Sequence, residues 1–172
     1  MSEQATSGGV QDLIAHFAAE PARARATFGS ETTLENGLRA EVSSRQHTIV
    51  IDEPAALGGT DEGPNPVEAV LGGLVSCQAI TYKVWAAKLG IELERVTVEA
   101  TGNIDLLGFF GIDQQVRPGY DSVELKVQLA GPESPERYQE LADAVDAHCP
   151  VLDNLRNPLP VSRTLVEATT TA

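Results

Sequence analysis

Basic residues are scarce in this 172-residue chain: Lys and Arg total 12 against 25 Asp and Glu, a formal charge of −13. A surface of that sign repels phosphate backbones and anionic lipid, which argues against nucleic-acid and membrane partners. Cysteine is scarcer still, with only Cys77 and Cys149, 72 positions apart. Two cysteines are too few for a disulfide scaffold and lack the paired spacing of a zinc site. No window reaches the ~20 unbroken apolar residues of a membrane-spanning helix. The N-terminus, MSEQATSGGVQDLIAHF, has no basic run leading into an apolar one. Secretion is therefore not signalled, and the expected compartment is the cytoplasm, where thiols stay reduced. There is no phosphate loop, nucleotide fingerprint or Ser-His-Asp arrangement, so no cofactor or metal is expected.

What is present is ordinary for a globular protein: 42% apolar and 22% charged residues, at a length that suits one domain. Residues 1–29 read as an N-terminal arm, with Val10, Leu13, Ile14 and Phe17 at helical spacing up to Pro21. Residues 30–172 form the domain proper. Alternation over 32–51 predicts a hairpin, with turns at Asn36-Gly37 and Ser43-Ser44. Three Pro and three Gly make 52–66 a loop, and its Asp52-Glu53 and Asp61-Glu62 pairs read as solvated charges rather than metal ligands. Residues 67–89 are apolar almost all round, which predicts a long buried helix ending at Gly90. Tyr82 and Trp85 on it read as core. Residues 95–104 and 121–129 alternate cleanly as strands, joined by GFFGIDQQVRPGY. The two phenylalanines of that loop, Phe109 and Phe110, suit a lid over the thiols or a loop plugging the core, with a mixed role at a dimer interface the favoured reading. Ser134-Pro135-Glu136 opens a helix whose stripe runs Tyr138, Leu141, Ala142, Val145, His148, Cys149. Pro150 breaks it and starts a short helix over 151–157; 161–168 reads as a closing strand. Strands and helices so segregated predict an α+β fold with antiparallel sheet.

The chemistry turns on the thiols. Cys77 lies mid-helix among apolar residues, where burial alone raises a thiol's pKa and leaves it inert. A reactive Cys77 needs a neighbouring cation, and Arg39, Arg45 and Arg117 are the candidates. Cys149 lies on an inner helical stripe directly before a second helix, where unpaired backbone N–H groups favour thiolate. Inert and redox readings of this pair both stand on spacing alone.

The combination of Asn65-Pro66 before a long helix, a cysteine inside that helix and a Cys-Pro some seventy residues later resembles the OsmC/Ohr family (osmotically inducible protein C and organic hydroperoxide resistance proteins). The segments GPNPVEAVLGGLVSCQAITYKVWAAKLGI and HCPVLDNLRNPLPVSRTL carry the likeness. The loops DEPAALGGTDEGPNPVE and GNIDLLGFFGIDQQVRPGY place it in the broader OsmC-like branch, and it covers about residues 30–168. It implies antiparallel sheets wrapped around two central helices in an intertwined homodimer, with active sites where subunits meet. It also implies a peroxidase acting on small organic hydroperoxides, with Cys77 as the attacking thiol and Cys149 as the resolving thiol. A lipoyl-type dithiol or small thiol would be the reductant, and an arginine held by a glutamate would activate Cys77. Arg39 lies in the early strand region where that arginine sits in the family. The carboxylate departs from the pattern: Val67 follows Asn65-Pro66, and Glu68 comes one place later. One residue is a rotation of about 100° on a helix, which turns Glu68 away from Cys77. Glu68 then either reaches an arginine from an irregular helix start, serves the partner subunit's thiol, or steadies the helix dipole. The alternative function is a non-peroxidase OsmC-like protein binding a small apolar or sulfur-containing ligand at the dimer interface.

Overall fold

The computed structural model describes residues 3–34 and 36–166, with side chains from residue 8 onward. It opens with α1 (Glu3–Ala19), which lies along the central helix and donates from Gln11 Nε2 to the Ala87 carbonyl at 3.3 Å. Pro21 starts a separate short turn, Pro21–Ala24, because its ring cannot continue a helix.

Strands β1 (Glu31–Thr33), β2 (Ala40–Ser44) and β3 (His47–Ile51) form an antiparallel sheet in sequence order. Gly37 supplies the left-handed backbone of the first connection. The second turn is Arg45-Gln46, not Ser43-Ser44: Ser44 pairs with His47 inside the ladder, and Arg45 takes φ 56°. The sheet packs against no other helix or strand beyond marginal contact, and Ile49, Leu34 and Leu38 are exposed.

Helix α2 (Pro66–Leu89) begins at a capping box in which the Asn65 side chain accepts from the Glu68 N–H and Glu68 accepts from the Asn65 N–H. Pro66 takes the first position, where no amide is needed, and Gly90 at φ 64° ends the helix. Strands β4 (Arg95–Asn103) and β5 (Ser122–Ala130) form a second antiparallel ladder, from Arg95 opposite Ala130 to Asn103 opposite Ser122. The alternation of β4 turns Val96, Val98 and Ala100 inward beneath α2. A one-turn helix α3 (Leu106–Phe109) leaves Phe109 and Phe110 edge to face and exposed. Helices α4 (Pro135–His148) and α5 (Pro150–Arg156) pack across α2.

Tyr82, Ala86, Ile91, Leu93, Leu141 and Val145 form one core cluster; Leu74, Cys149 and Leu152 form a second, with Cys77 against it. Tyr82 is core as expected, whereas Trp85 is only partly buried, stacked on His148 at 4.1 Å with the Lys88 ammonium over its ring. Helix α2 is not buried all round: Val70 and Ile80 are exposed, Ile80 by 65%. Over 161–166 the closing strand does not form: the segment pairs with none of the described strands, and Val161, Leu165 and Val166 stand exposed. Positions 167 and 168 of that strand lie outside the described residues. No helix among the described residues is long and apolar enough to cross a membrane. The mixed architecture of antiparallel sheets and central helices is the α+β class read from the sequence.

Candidate active site

Cys77 and Cys149 come together from opposite ends of the domain. Cys77 sits midway along α2; Cys149 is at once the last cap of α4 and the first of α5. Its φ −76° and ψ 113° are extended because Pro150 denies it helical geometry. The two sulfurs are 3.5 Å apart, both free thiols, with the Cys149 S–H directed at Cys77. Cys77 is half-buried and Cys149 is 1% exposed. A disulfide needs about 2 Å between sulfurs, so oxidation requires only a small closing of this gap.

Burial pushes the Cys149 thiol above the ordinary range, and the neighbouring Cys77 sulfur adds to that; the Leu152 backbone N–H and the Thr81 hydroxyl act against it. Thr81 is one turn beyond Cys77, and its hydroxyl donates to the Cys77 carbonyl at 2.7 Å, placing it beside both sulfurs. Gln78, next in sequence to Cys77, is fully buried with both amide atoms unpartnered.

The three candidate arginines lie in different places. Arg39, just before β2, donates from Nε to Glu62 at 2.6 Å and from Nη1 to Glu41 at 3.0 Å. Those two carboxylates hold its guanidinium more firmly protonated than usual. Arg45 occupies the β2–β3 turn. Arg117 lines a cavity of about 840 Å³ between α2, β5, α4 and α5, together with Leu74, Tyr82 and Leu152. Among the described residues, no arginine hydrogen-bonds either sulfur. The Glu68 carboxylate is engaged in the cap of α2, the helix-start role. Val67, in front of it, accepts at its carbonyl from the Tyr120 hydroxyl at 2.8 Å. Among the described residues, no three His, Cys, Asp or Glu side chains gather as metal ligands.

Two residues read from sequence as solvated charges are structural. Asp52 is buried, and its carboxylate accepts from the Thr60 hydroxyl and from the N–H groups of Thr60, Glu53 and Glu62. The Thr60 hydroxyl foremost, then those amides, hold it below the usual carboxylate range against the effect of burial. Glu62, on the loop that Asp52 ties down, is the main partner of Arg39. Nothing in the spacing of a Gly- and Pro-rich loop signals either role.

An antiparallel α+β domain with two free thiols in contact across its central helices defines a class of dithiol proteins. The family model for OsmC-like protein matches residues 59–163, and the chain belongs to that family. Solved structures share the fold at low sequence identity. The OsmC-like protein of Mycoplasma pneumoniae is 22% identical with a TM-score of 0.66, the match covering 77% of this chain and 89% of that one. An organic hydroperoxide resistance protein of Elizabethkingia anophelis, with thiocyanate bound, is 23% identical at a TM-score of 0.60, covering 79% and 92%. The organic hydroperoxide resistance protein OsmC of Legionella pneumophila is 20% identical at a TM-score of 0.58, covering 77% and 91%. No curated protein sequence matches the chain.

Proposed function

We propose that this protein is a thiol-dependent peroxidase that reduces small organic hydroperoxides in defence against oxidative stress. The observation that carries the reading is the 3.5 Å separation of two free thiols held by different helices. Cys77 is the attacking thiol because it is the half-exposed one; Cys149, buried and held protonated, does not compete for peroxide. The Cys77 thiolate attacks the outer oxygen of ROOH and the O–O bond breaks. With one proton taken up, ROH leaves and Cys77 becomes a sulfenic acid. Cys149 then attacks the Cys77 sulfur, forming the disulfide and releasing water. A small dithiol, itself oxidised to its disulfide, returns both cysteines to thiols. The cycle needs no metal or other cofactor, and a reducing cytoplasm suits it.

The working unit in this reading is a homodimer. A peroxidatic thiolate needs a cation, and among the described residues no arginine hydrogen-bonds the Cys77 sulfur. Arg39 of a second copy would supply it, carried on the β1–β3 sheet, which packs on no helix or other strand beyond marginal contact among the described residues. The exposed stripe of α2 around Val70 and Ile80, and the phenylalanine pair of α3, are further surfaces for that contact.

A second reading is a non-peroxidase that binds a small apolar or sulfur-containing ligand at the same interface. The engagement of Glu68 in the helix cap favours it, because the carboxylate beside Asn65-Pro66 is then not free to act at the thiols.

Treatment of the reduced protein with an alkyl hydroperoxide separates the two. The peroxidase consumes one equivalent of peroxide and loses both free thiols; C77S consumes none, and C149S stops at a trappable sulfenic acid. Two free thiols remaining, with no peroxide consumed, overturns the proposal.

A further inference from the structure

Resting on the reading above, that Arg39 activates Cys77, we infer that Glu62 is the positioning residue for Arg39, held in place by the buried Asp52, and that Glu68 is not. An arginine that stabilises a thiolate and polarises a peroxide must present its donors in a fixed direction. The rotamer freedom of a long, unheld arginine side chain works against that. Here the direction is set from two sides. Glu62 takes the Nε–H and Glu41 takes an Nη1–H, and neither bond uses Nη2. The guanidinium is thus held on two different sides, through Nε and through Nη1, which fixes its plane and leaves Nη2 for a substrate or sulfur.

Glu62 can grip only if its own backbone is fixed, and the loop from 52 to 65 is built for that. The Asp52 carboxylate accepts the Glu62 N–H at 3.2 Å, the Thr60 N–H at 3.0 Å and the Thr60 hydroxyl at 2.6 Å. The Asp52 N–H donates to the Pro64 carbonyl at 3.2 Å, closing the loop on itself. A Cβ on Gly59 would lie 1.8 Å from the Glu53 carbonyl oxygen, and one on Gly63 would lie 2.4 Å from that of Val50. No side chain fits at either place, so the loop has one close-packed path. That path runs directly into Asn65 and the helix bearing Cys77. Glu68 has a competing duty, with one carboxylate oxygen 2.9 Å from the Asn65 amide.

The test uses the full chain. In E62Q the charge-assisted bond to Nε is lost, and Arg39 keeps Glu41 as its one ionised partner, which no longer fixes its direction. The rate of Cys77 oxidation by tert-butyl hydroperoxide is expected to fall at least tenfold. The pH midpoint for alkylation of Cys77 by iodoacetamide is expected to rise, while the unfolding midpoint stays put because Glu62 and Arg39 are both substantially exposed. E62D keeps the charge and recovers part of the rate. Because Glu62 acts through Arg39, E62Q added to R39A is expected to cost nothing further. Wild-type rate and alkylation midpoint in E62Q, an additional loss in the R39A background, or an equal loss in E68Q overturns the inference. A wild-type protein that consumes no hydroperoxide defeats the peroxidase reading instead. The alkylation midpoint needs no peroxide and still reports whether Glu62 governs the thiol through Arg39.

Discussion

At the scale of single residues, the site is set by what burial does to polar groups. Gln78 is the clearest case: its side chain is fully buried on α2, with neither amide nitrogen nor oxygen partnered. An unmade hydrogen bond on a buried group costs about 1–3 kcal/mol, whereas an apolar side chain of the same shape costs little there. Gln78→Met is therefore expected to raise stability by about 1–2 kcal/mol in urea unfolding; an unchanged or lower midpoint would mean the amide finds a partner in solution. The alkaline limb of stability follows from two other buried groups. Burial raises the folded-state pKa of Cys149 above its ordinary 9.0. Burial, then the Asp146 and Asp143 carboxylates, push Tyr82 from 10.0 up to about 12. Both groups bind protons more tightly folded than unfolded. Their contribution is thus complete below the unfolded values and is lost as pH rises through the folded ones. The reduced protein is expected to lose stability above about pH 9, with C149S flattening the start of that decline and Y82F the part between pH 10 and about 12. A decline unaltered in both variants would place its origin elsewhere.

At the scale of elements, the helix starts were the most legible part of the sequence. Asn65-Pro66, Ser134-Pro135 and Cys149-Pro150 each place a capping residue before a proline, and α2, α4 and α5 begin at those prolines. The physics is local, so spacing suffices: a proline at the first position gives up an amide that no helix would use. The same locality brought Cys149 into view as a junction residue, though its contact with Cys77 is long-range and came from the family likeness. Three things were hidden because their causes are not local. The β2–β3 turn sits on Arg45-Gln46, two residues with no turn signature, since the ladder register outweighs the preference of Ser43-Ser44. Asp52 reads as a loop charge until Thr60 and Glu62 fold back onto it. The alternation at 161–166 marks a face that needs cover, but a strand also needs a pairing partner, which is a long-range matter that spacing does not show, and 161–166 pairs with none of the described strands. The cap of α2 gives a test at this scale. Asn65→Ala removes the side-chain acceptor for the Glu68 N–H and is expected to cost about 1 kcal/mol, whereas Asn65→Asp keeps it and costs far less. Equal unfolding midpoints for the two variants would show that the capping box contributes nothing.

At the scale of the whole molecule, the apolar surface that one chain leaves uncovered is what the proposed homodimer would cover. Ile80 is 65% exposed in the middle of its central helix, Ile49 is 53% exposed on a sheet that packs on no helix or other strand beyond marginal contact among the described residues, and Val161, Leu165 and Val166 are each exposed by more than four-fifths. Single exposed hydrophobics are ordinary; their occurrence on helix, sheet and tail together marks an interaction surface. Its placement bears on the chemistry, since Ile80 lies on the same helix as Cys77, three residues on, so contact there would bring a second chain close to the thiols. The expected state is a homodimer, and Ile80→Asp tests it without disturbing the fold of one chain, because the side chain makes no part of the core. Burying an isoleucine contributes about 1.5–3 kcal/mol, and a symmetric contact counts it twice, so the substitution is expected to weaken dimerisation by at least a hundredfold. Light scattering at micromolar concentration should find a dimer for the wild type and a monomer for the variant. The circular dichroism of the two should be the same. Hydroperoxide consumption should fall with dimerisation and recover at high protein concentration, since an arginine supplied by a second chain is lost on dissociation and regained on association. A wild-type monomer, or an I80D monomer that consumes peroxide at full rate, would show that one chain completes its own site.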